Sequence, residues 1–391
     1  MEGGKLDISQ AKAILSRILD TKRENDPPAV RIKKSRSFEL DRKAEVMINK
    51  DQTFESKYEL LEELGKGMFG TVKKCQCTDT GVEYAAKVVR KTTKNKEEVV
   101  REVSTMNLLQ HKSIAQIHDA FESKRQMVIV MELIRGKELF EKVCQEDTLL
   151  TEKQCVYYLR QILSGVEYMH KKKIVHLDLK PENILCIDSP QGYDEIKLID
   201  FGLARDLSST KQLSCICGTP EFVAPEVINF DPISVQSDMW SLGVITYVLL
   251  SGISPFLGDD DGETLQNVTF GEFDFEDEDG AFEHVSEIAK EFISDLLCLN
   301  PRDRLSVGDC LEHSWLNTQT NEEELDTTNL KKFIARRRWL RTIHAIKAVG
   351  RFNQVANSLG GKGKKGGDSL AKTMLAALNA ANKENSIDKG R

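Results

Sequence analysis

No stretch of this sequence approaches the roughly 18 unbroken apolar residues that a membrane-crossing helix needs. The opening MEGGKLDISQ lacks the apolar core of a secretory signal. Both absences point to a cytoplasmic chain with no membrane span. Paired C-x-x-C spacings are missing too: among nine cysteines the close pairs Cys75/Cys77 and Cys215/Cys217 are C-x-C, so reduced thiols are expected in place of zinc clusters or a disulfide framework. Internal repeats are absent. Asn267-Val268-Thr269 matches a glycosylation acceptor only by chance if the chain is cytoplasmic. Neither a nucleic-acid partner nor an oligomer is expected.

A composition of 40% hydrophobic and 30% charged residues suits a globular protein. The net charge of −7 hides a segregation. Asp259 to Glu287 holds twelve Asp/Glu and no Lys/Arg, whereas Lys331 to Arg351 holds eight Lys/Arg and no acid. Such segments can pair with each other, or each can be a solvated face.

Residues 1–57 read as a tail, mostly disordered, around one amphipathic stretch at Ile14, Leu15, Ile18 and Leu19. From Tyr58 the pattern changes to alternation, a glycine cluster and the β-rich run Tyr84 to Val89, which marks the start of a folded domain. A helix over Lys96 to Leu109, strands near Ile114 and over Val128 to Leu133, and long helical patterns from Thr151 to about Trp315 follow. They describe an α+β unit with a β-rich small lobe and an α-rich large lobe, over 58–316. A connector (317–338), a basic helix (335–356) and a flexible glycine-rich tail (357–391) complete the chain.

Gly65-Lys66-Gly67-Met68-Phe69-Gly70-Thr71-Val72 is G-x-G-x-x-G-x-V between two strands. Glycine lets backbone N–H groups approach phosphate oxygens, although the same pattern also builds an ordinary turn. No Walker lysine follows. The next signal is Lys87, on a strand, where it can hold phosphates, and Glu102 on the following helix is its natural ion-pair partner. His176-Leu177-Asp178-Leu179-Lys180-Pro181-Glu182-Asn183 and Asp200-Phe201-Gly202 come next, in the order that a phosphoryl-transfer site requires.

With these motifs the chain resembles the eukaryotic protein kinases over Tyr58 to Leu316. The resemblance implies a bilobal kinase fold, ATP and Mg²⁺ as cofactors, and serine or threonine as acceptor, the last from Lys180 two residues after Asp178. Asp178 matches the base that accepts the acceptor hydroxyl's proton. Lys180 matches the cation at the γ-phosphate, and Asn183 and Asp200 match the metal ligands. By position Leu64, Val72, Ala85 and Leu185 enclose adenine, Met131 backs the pocket, and Glu132 and Leu133 form the hinge. Ala224-Pro225-Glu226 closes the activation segment, with Asp238 and Arg304 as structural buttresses. Glu138 and Glu182 sit where related kinases read basic residues of the substrate, a surface that the acidic run 259–287 is expected to extend. One departure is Leu177, where many kinases carry the arginine that grips a phosphorylated activation loop. Ordering of the loop around Ser208, Ser209 and Thr210 is therefore not expected to depend on phosphate.

Control is expected from the segment Lys331 to Phe352. On a helix, Trp339, Ile343, Ile346 and Phe352 fall at relative positions 1, 5, 8 and 14, with bulky residues at both ends and cations elsewhere, the form that calmodulin's lobes accept. A membrane-surface helix or a core helix is the competing reading. Ala335-Arg336-Arg337-Arg338-Trp339, Ala348-Val349-Gly350-Arg351, His176-Leu177-Asp178 and Cys217 to Glu226 together resemble the myosin light chain kinases. That resemblance implies autoinhibition, activation by calcium-loaded calmodulin, a myosin regulatory light chain as substrate, and association with actomyosin. Death-associated and other calmodulin-regulated kinases are alternatives, as is a catalytically inactive calmodulin-binding scaffold.

Overall fold

A computed structural model describes residues 45–66, 70–146, 148–188, 194–208, 218–276, 280–318 and 322–342. The amphipathic stretch near Ile14 and the tail 357–391 lie outside these residues.

Strands β1 (Ile48–Asn49), β2 (Tyr58–Lys66), β3 (Thr71–Cys77), β4 (Glu83–Arg90), β5 (Ile117–Glu122) and β6 (Gln126–Glu132) form one sheet in the order β1-β5-β6-β4-β3-β2. All neighbours are antiparallel except β1, which runs parallel to β5. Phe54, Tyr58, Phe121 and Val130 fill a small core in this lobe. Helix α1 (Thr93–Leu108) starts where the Thr92 hydroxyl accepts the Asn95 N–H at 3.1 Å, replacing a partner that a first helical turn lacks.

The folded part begins earlier than residue 58. Ile48 and Asn49 pair with Ala120 and Phe121, and Phe54 is buried, because the sheet edge at β5 offers unpaired backbone groups that this segment satisfies. The strand expected near Ile114 is instead a lone bridge to Leu198, and the strand itself starts at Ile117.

The large lobe carries β7 (Lys137–Glu138), α2 (Leu139–Val143), α3 (Glu152–Lys171), β8 (Ile174–Val175), β9 (Ile184–Ile187), β10 (Glu195–Leu198) and β11 (Arg205–Asp206). Helices α4 (Pro225–Ile228), α5 (Gln236–Ser251), α6 (Asp261–Phe270), α7 (Glu287–Leu296), α8 (Val307–Glu312) and α9 (Ser314–Asn317) follow. Strands β10, β9 and β7 make a small antiparallel sheet that supports the loop between β8 and β9. Helix α5 is buried on every side from Ser237 onward, as an all-round apolar helix must be. It stops at Gly252, whose φ of 74° suits glycine.

A last helix, α10, spans residues 328–342 and therefore starts inside the segment expected to be connector. The reason is burial. Leu330 and Phe333 on α10 belong to the main core, as does Leu325 just before it, whose N–H donates to the Leu150 carbonyl at 2.8 Å. These residues are part of the large lobe, which a linker would not be. Among the described residues no helix is long and apolar enough to cross a membrane.

Candidate active site

Strand β4 presents Lys87 and helix α1 presents Glu102 on facing, buried surfaces. The Lys87 Nζ lies 2.7 and 3.0 Å from the two Glu102 oxygens and 2.8 Å from Asp200 Oδ1. Burial alone would push the Lys87 ammonium down, but the two carboxylates outweigh it and hold the group well above its usual value. Burial likewise works to raise Asp200, and Lys87 overrides it and keeps the carboxyl below the usual range. Asp200 adopts a left-handed φ of 61°, and Phe201 after it is buried against His176 with ring centroids 5.0 Å apart. Gly202 completes the motif: a Cβ there would stand 3.2 Å from Lys87 Nζ.

The loop from His176 to Asn183 is held from beneath. The Asp238 carboxylate, fully buried at the start of α5, accepts the N–H of His176 at 2.9 Å and of Leu177 at 3.0 Å, and bonds His170 Nε2 at 2.8 Å. These bonds stabilise Leu177 at a φ of 65°. Its side chain is buried, which leaves no charge there for a phosphate. On this loop Asp178 gathers three polar neighbours. Lys180 Nζ stands 2.7 Å from Oδ2, the Thr219 hydroxyl donates to Oδ1 at 3.1 Å, and Asn183 Nδ2 donates to Oδ2 at 3.1 Å. Asn183 Nδ2 also donates to the Asp178 carbonyl at 2.8 Å, so the capacity left on that amide is its oxygen. That oxygen and the Asp200 carboxylate are hard donors of the kind Mg²⁺ takes. Further along, Arg304 binds Glu226 through two bonds of 2.9 and 2.8 Å and stacks over Trp240, fixing the end of the activation segment.

Of the nucleotide-site residues expected from sequence, Ala85 is buried, Val72, Met131, Glu132, Leu133 and Leu185 are half-buried, and Leu64, Gly65 and Lys66 are exposed on β2. Gly70 immediately precedes β3 and Thr71 opens it; Gly67, Met68 and Phe69 lie outside the described residues. At the hinge, Glu132 pairs with Lys197 at 2.8 Å.

The acidic surface beside this loop is occupied by α10. Arg336 donates to Glu221 at 2.7 Å, and Arg337 donates to Glu221 at 2.8 Å and to Glu182 at 2.7 Å. Arg338 reaches Glu141 at 2.6 Å and Arg341 reaches Glu138 at 2.7 Å. Burial would raise the Glu182 carboxyl, but the Arg337 guanidinium holds it below its usual value. Arg337 also lies over the rings of Phe222 and Phe333, at 5.0 and 5.6 Å from their centroids. Glu138 and Glu182, expected to read cations, thus do so within the chain. None of the described carboxylates of the acidic run 259–287 pairs with α10. The run's aromatic residues Phe273, Phe275 and Phe282 pack around Tyr247, and its described carboxylates are exposed. Glu141, Thr219 and Glu221 were not singled out from sequence, although Thr219 and Glu221 sit within the stretch Cys217 to Glu226. Trp339 is 43% exposed, while Ile343, Ile346 and Phe352 lie outside the described residues.

Residues 58–316 match the protein kinase domain family. The chain is 47% identical over 343 residues to the smooth-muscle myosin light chain kinase of Gallus gallus, covering 87% of this chain and 18% of that one. It is 46% identical over 304 residues to myosin light chain kinase 2 of Homo sapiens, covering 76% and 50%. It thus spans half or less of the length of these curated relatives. Among solved structures, the twitchin kinase region of C. elegans superposes with a TM-score of 0.69 at 39% identity, covering 75% of this chain and 52% of that one. The autoinhibited serine kinase domain of titin superposes with a TM-score of 0.64 at 32% identity, covering 72% and 88%.

Proposed function

The chain belongs to the protein kinase family, as a serine/threonine kinase, and on that premise we propose that it phosphorylates a myosin regulatory light chain under the control of calcium-loaded calmodulin. Four arginines of one helix on the carboxylates that flank Asp178 are the observation that carries the regulatory half. The names of the curated relatives support the substrate.

MgATP, when bound, supplies the phosphoryl group and the positive charge that neutralises its oxygens. Lys87, fixed by Glu102, would hold the α- and β-phosphates; Asn183 and Asp200 would hold the metal. Leu64, Val72, Ala85, Met131 and Leu185 exclude water from the adenine, with Glu132 and Leu133 as the hinge. Asp178 orients the acceptor hydroxyl and takes its proton. Lys180, already on Asp178, leaves a cation at the point where charge passes between the two substrates.

Glu138 and Glu182 would receive basic residues of the light chain once α10 leaves. While α10 is docked, its arginines compete for the same oxygens. Calmodulin gripping Trp339, Ile343, Ile346 and Phe352 draws the helix away, because it binds the free form better than the docked one. Transfer of labelled phosphate from ATP to purified light chain, with and without calcium and calmodulin, tests the whole reading. Transfer only with both is expected. Transfer to arginine-preceded serine peptides but not to the light chain would identify a calmodulin-regulated kinase of another substrate class. No transfer at all would leave a calmodulin-binding scaffold.

A further inference from the structure

The segment ahead of β2 makes a contact that the reaction scheme above does not use. The Val46 N–H donates to Asn107 Oδ1 at 2.9 Å, and Asn107 Nδ2 donates back to the Val46 carbonyl at 2.9 Å. One amide side chain thus satisfies both polar groups of a backbone residue, as a neighbouring strand would. Asn107 is in the last turn of α1, the helix that carries Glu102. Two residues past Val46 the chain enters β1 and pairs with β5, and Val46 and Ile48 both pack against the main core. Helix α1, the segment and the sheet edge are therefore tied in series.

We propose that Asn107 is a positioning residue: by clamping Val46 it straps α1 to the sheet through β1 and keeps Glu102 on Lys87. The inference rests on the kinase reading, because its consequence is felt by the nucleotide that Lys87 holds. A helix that carries one half of a buried ion pair can swing away from the other half, and an ion pair made only part of the time holds phosphate only part of the time. Apparent nucleotide affinity falls with the fraction of molecules in the competent arrangement. The strap raises that fraction without touching ATP, the acceptor or α10.

The test uses the full chain, saturated with calcium-loaded calmodulin, and two readouts: the dissociation constant of a fluorescent ATP analogue with Mg²⁺, and separate KM values for ATP and for an arginine-preceded serine peptide. Asn107→Ala is expected to weaken the analogue and raise the ATP KM by about three- to tenfold, for two lost hydrogen bonds, while the peptide KM stays unchanged. Asn107→Asp, which keeps the acceptor for the Val46 N–H, falls between Ala and the parent. Val46→Pro removes that N–H from the other side and reproduces the Asn107→Ala effect. The double variant is no worse than the larger single one. Independent, additive losses overturn the strap, as does a fall in kcat or a rise in peptide KM with ATP binding unchanged. A parent that binds no nucleotide overturns the kinase reading and this inference with it, whereas a parent and an Asn107→Ala variant that bind equally overturn the inference alone.

Discussion

Arg337 and Glu182 meet at 2.6 Å with only 10% and 12% of their side chains exposed. A pair this sheltered is costly to break from one side, since the abandoned charge stays buried; losses of about 3–5 kcal/mol are typical for full burial. Here the Glu182 carboxylate regains water once α10 lifts, so a smaller loss, about 2 kcal/mol, is the reasonable figure, or roughly thirtyfold in the docking equilibrium. Arg337→Ala should accordingly raise calcium-free phosphoryl transfer by about that factor, up to the calmodulin-saturated rate. Glu182→Ala should also loosen α10 but raise the KM for a basic substrate, because the same carboxylate serves both. Equal behaviour of the two variants would contradict the competition.

Asp178 and Asp200 are both carboxylates of the cleft, and their partners differ. Asp178 is bonded by Lys180, Thr219 and Asn183, whereas Asp200 is bonded by Lys87. Asp178→Asn should retain Mg²⁺-dependent nucleotide binding and lose most turnover. Asp200→Ala should lose the metal dependence of nucleotide binding itself. Titrating each variant with a fluorescent nucleotide, with and without Mg²⁺, separates the two, and near-normal transfer by Asp178→Asn would remove it from the role of base.

The cleft was legible in the sequence because each of its parts is a short motif whose spacing is fixed by local backbone geometry. His176 to Asn183 is a single loop, and Asp200-Phe201-Gly202 a single turn. The long-range partners were less visible. Nothing in the alternation near Tyr58 reveals that Ile48 and Asn49 complete a sheet edge, since a two-residue strand has no periodicity to detect. The acidic run 259–287 is dense in charge, but density says nothing of the face on which carboxylates lie. Of the four that meet α10, the resemblance already pairs Glu138 with Glu182, whereas only the fold brings Glu141 and Glu221 beside them. The helix starts at 328 and not at the expected 335, because Leu330 and Phe333 are spaced as helix residues but stand in a charged context that reads as linker.

Trp339 offers a separation of inhibitor from activator. It is 43% exposed, whereas the Arg337 side chain is only 10% exposed, so the Trp339 ring contributes little to docking. Trp339→Ala should weaken calmodulin binding by about 2 kcal/mol or more, as for a buried interface aromatic. Calcium-free activity should remain low. Calorimetric titration with calcium-loaded calmodulin measures the first and a kinase assay the second; if activity rose without calcium, Trp339 would have to be counted among the docking residues.

Where the chain can be cut without harming the domain follows from the same burial. A stop after Leu316 removes Leu325, Leu330 and Phe333 from the core, and Phe333 also packs on Phe140 with ring centroids 5.9 Å apart. Loss of one such aromatic side chain alone costs about 3–5 kcal/mol. Gly252 shows how close the fit is: a Cβ there would overlap the backbone nitrogen of Leu330. A stop after Ala335 keeps all three apolar anchors and removes every arginine that pairs with Glu138, Glu141, Glu182 or Glu221. Both truncated chains should transfer phosphate without calcium, but only the shorter should melt markedly below the parent. Thermal unfolding and calcium-free activity, measured side by side, decide it. A chain stopped after Ala335 that still needed calmodulin would place the inhibitory contact before Arg336, in the anchor itself.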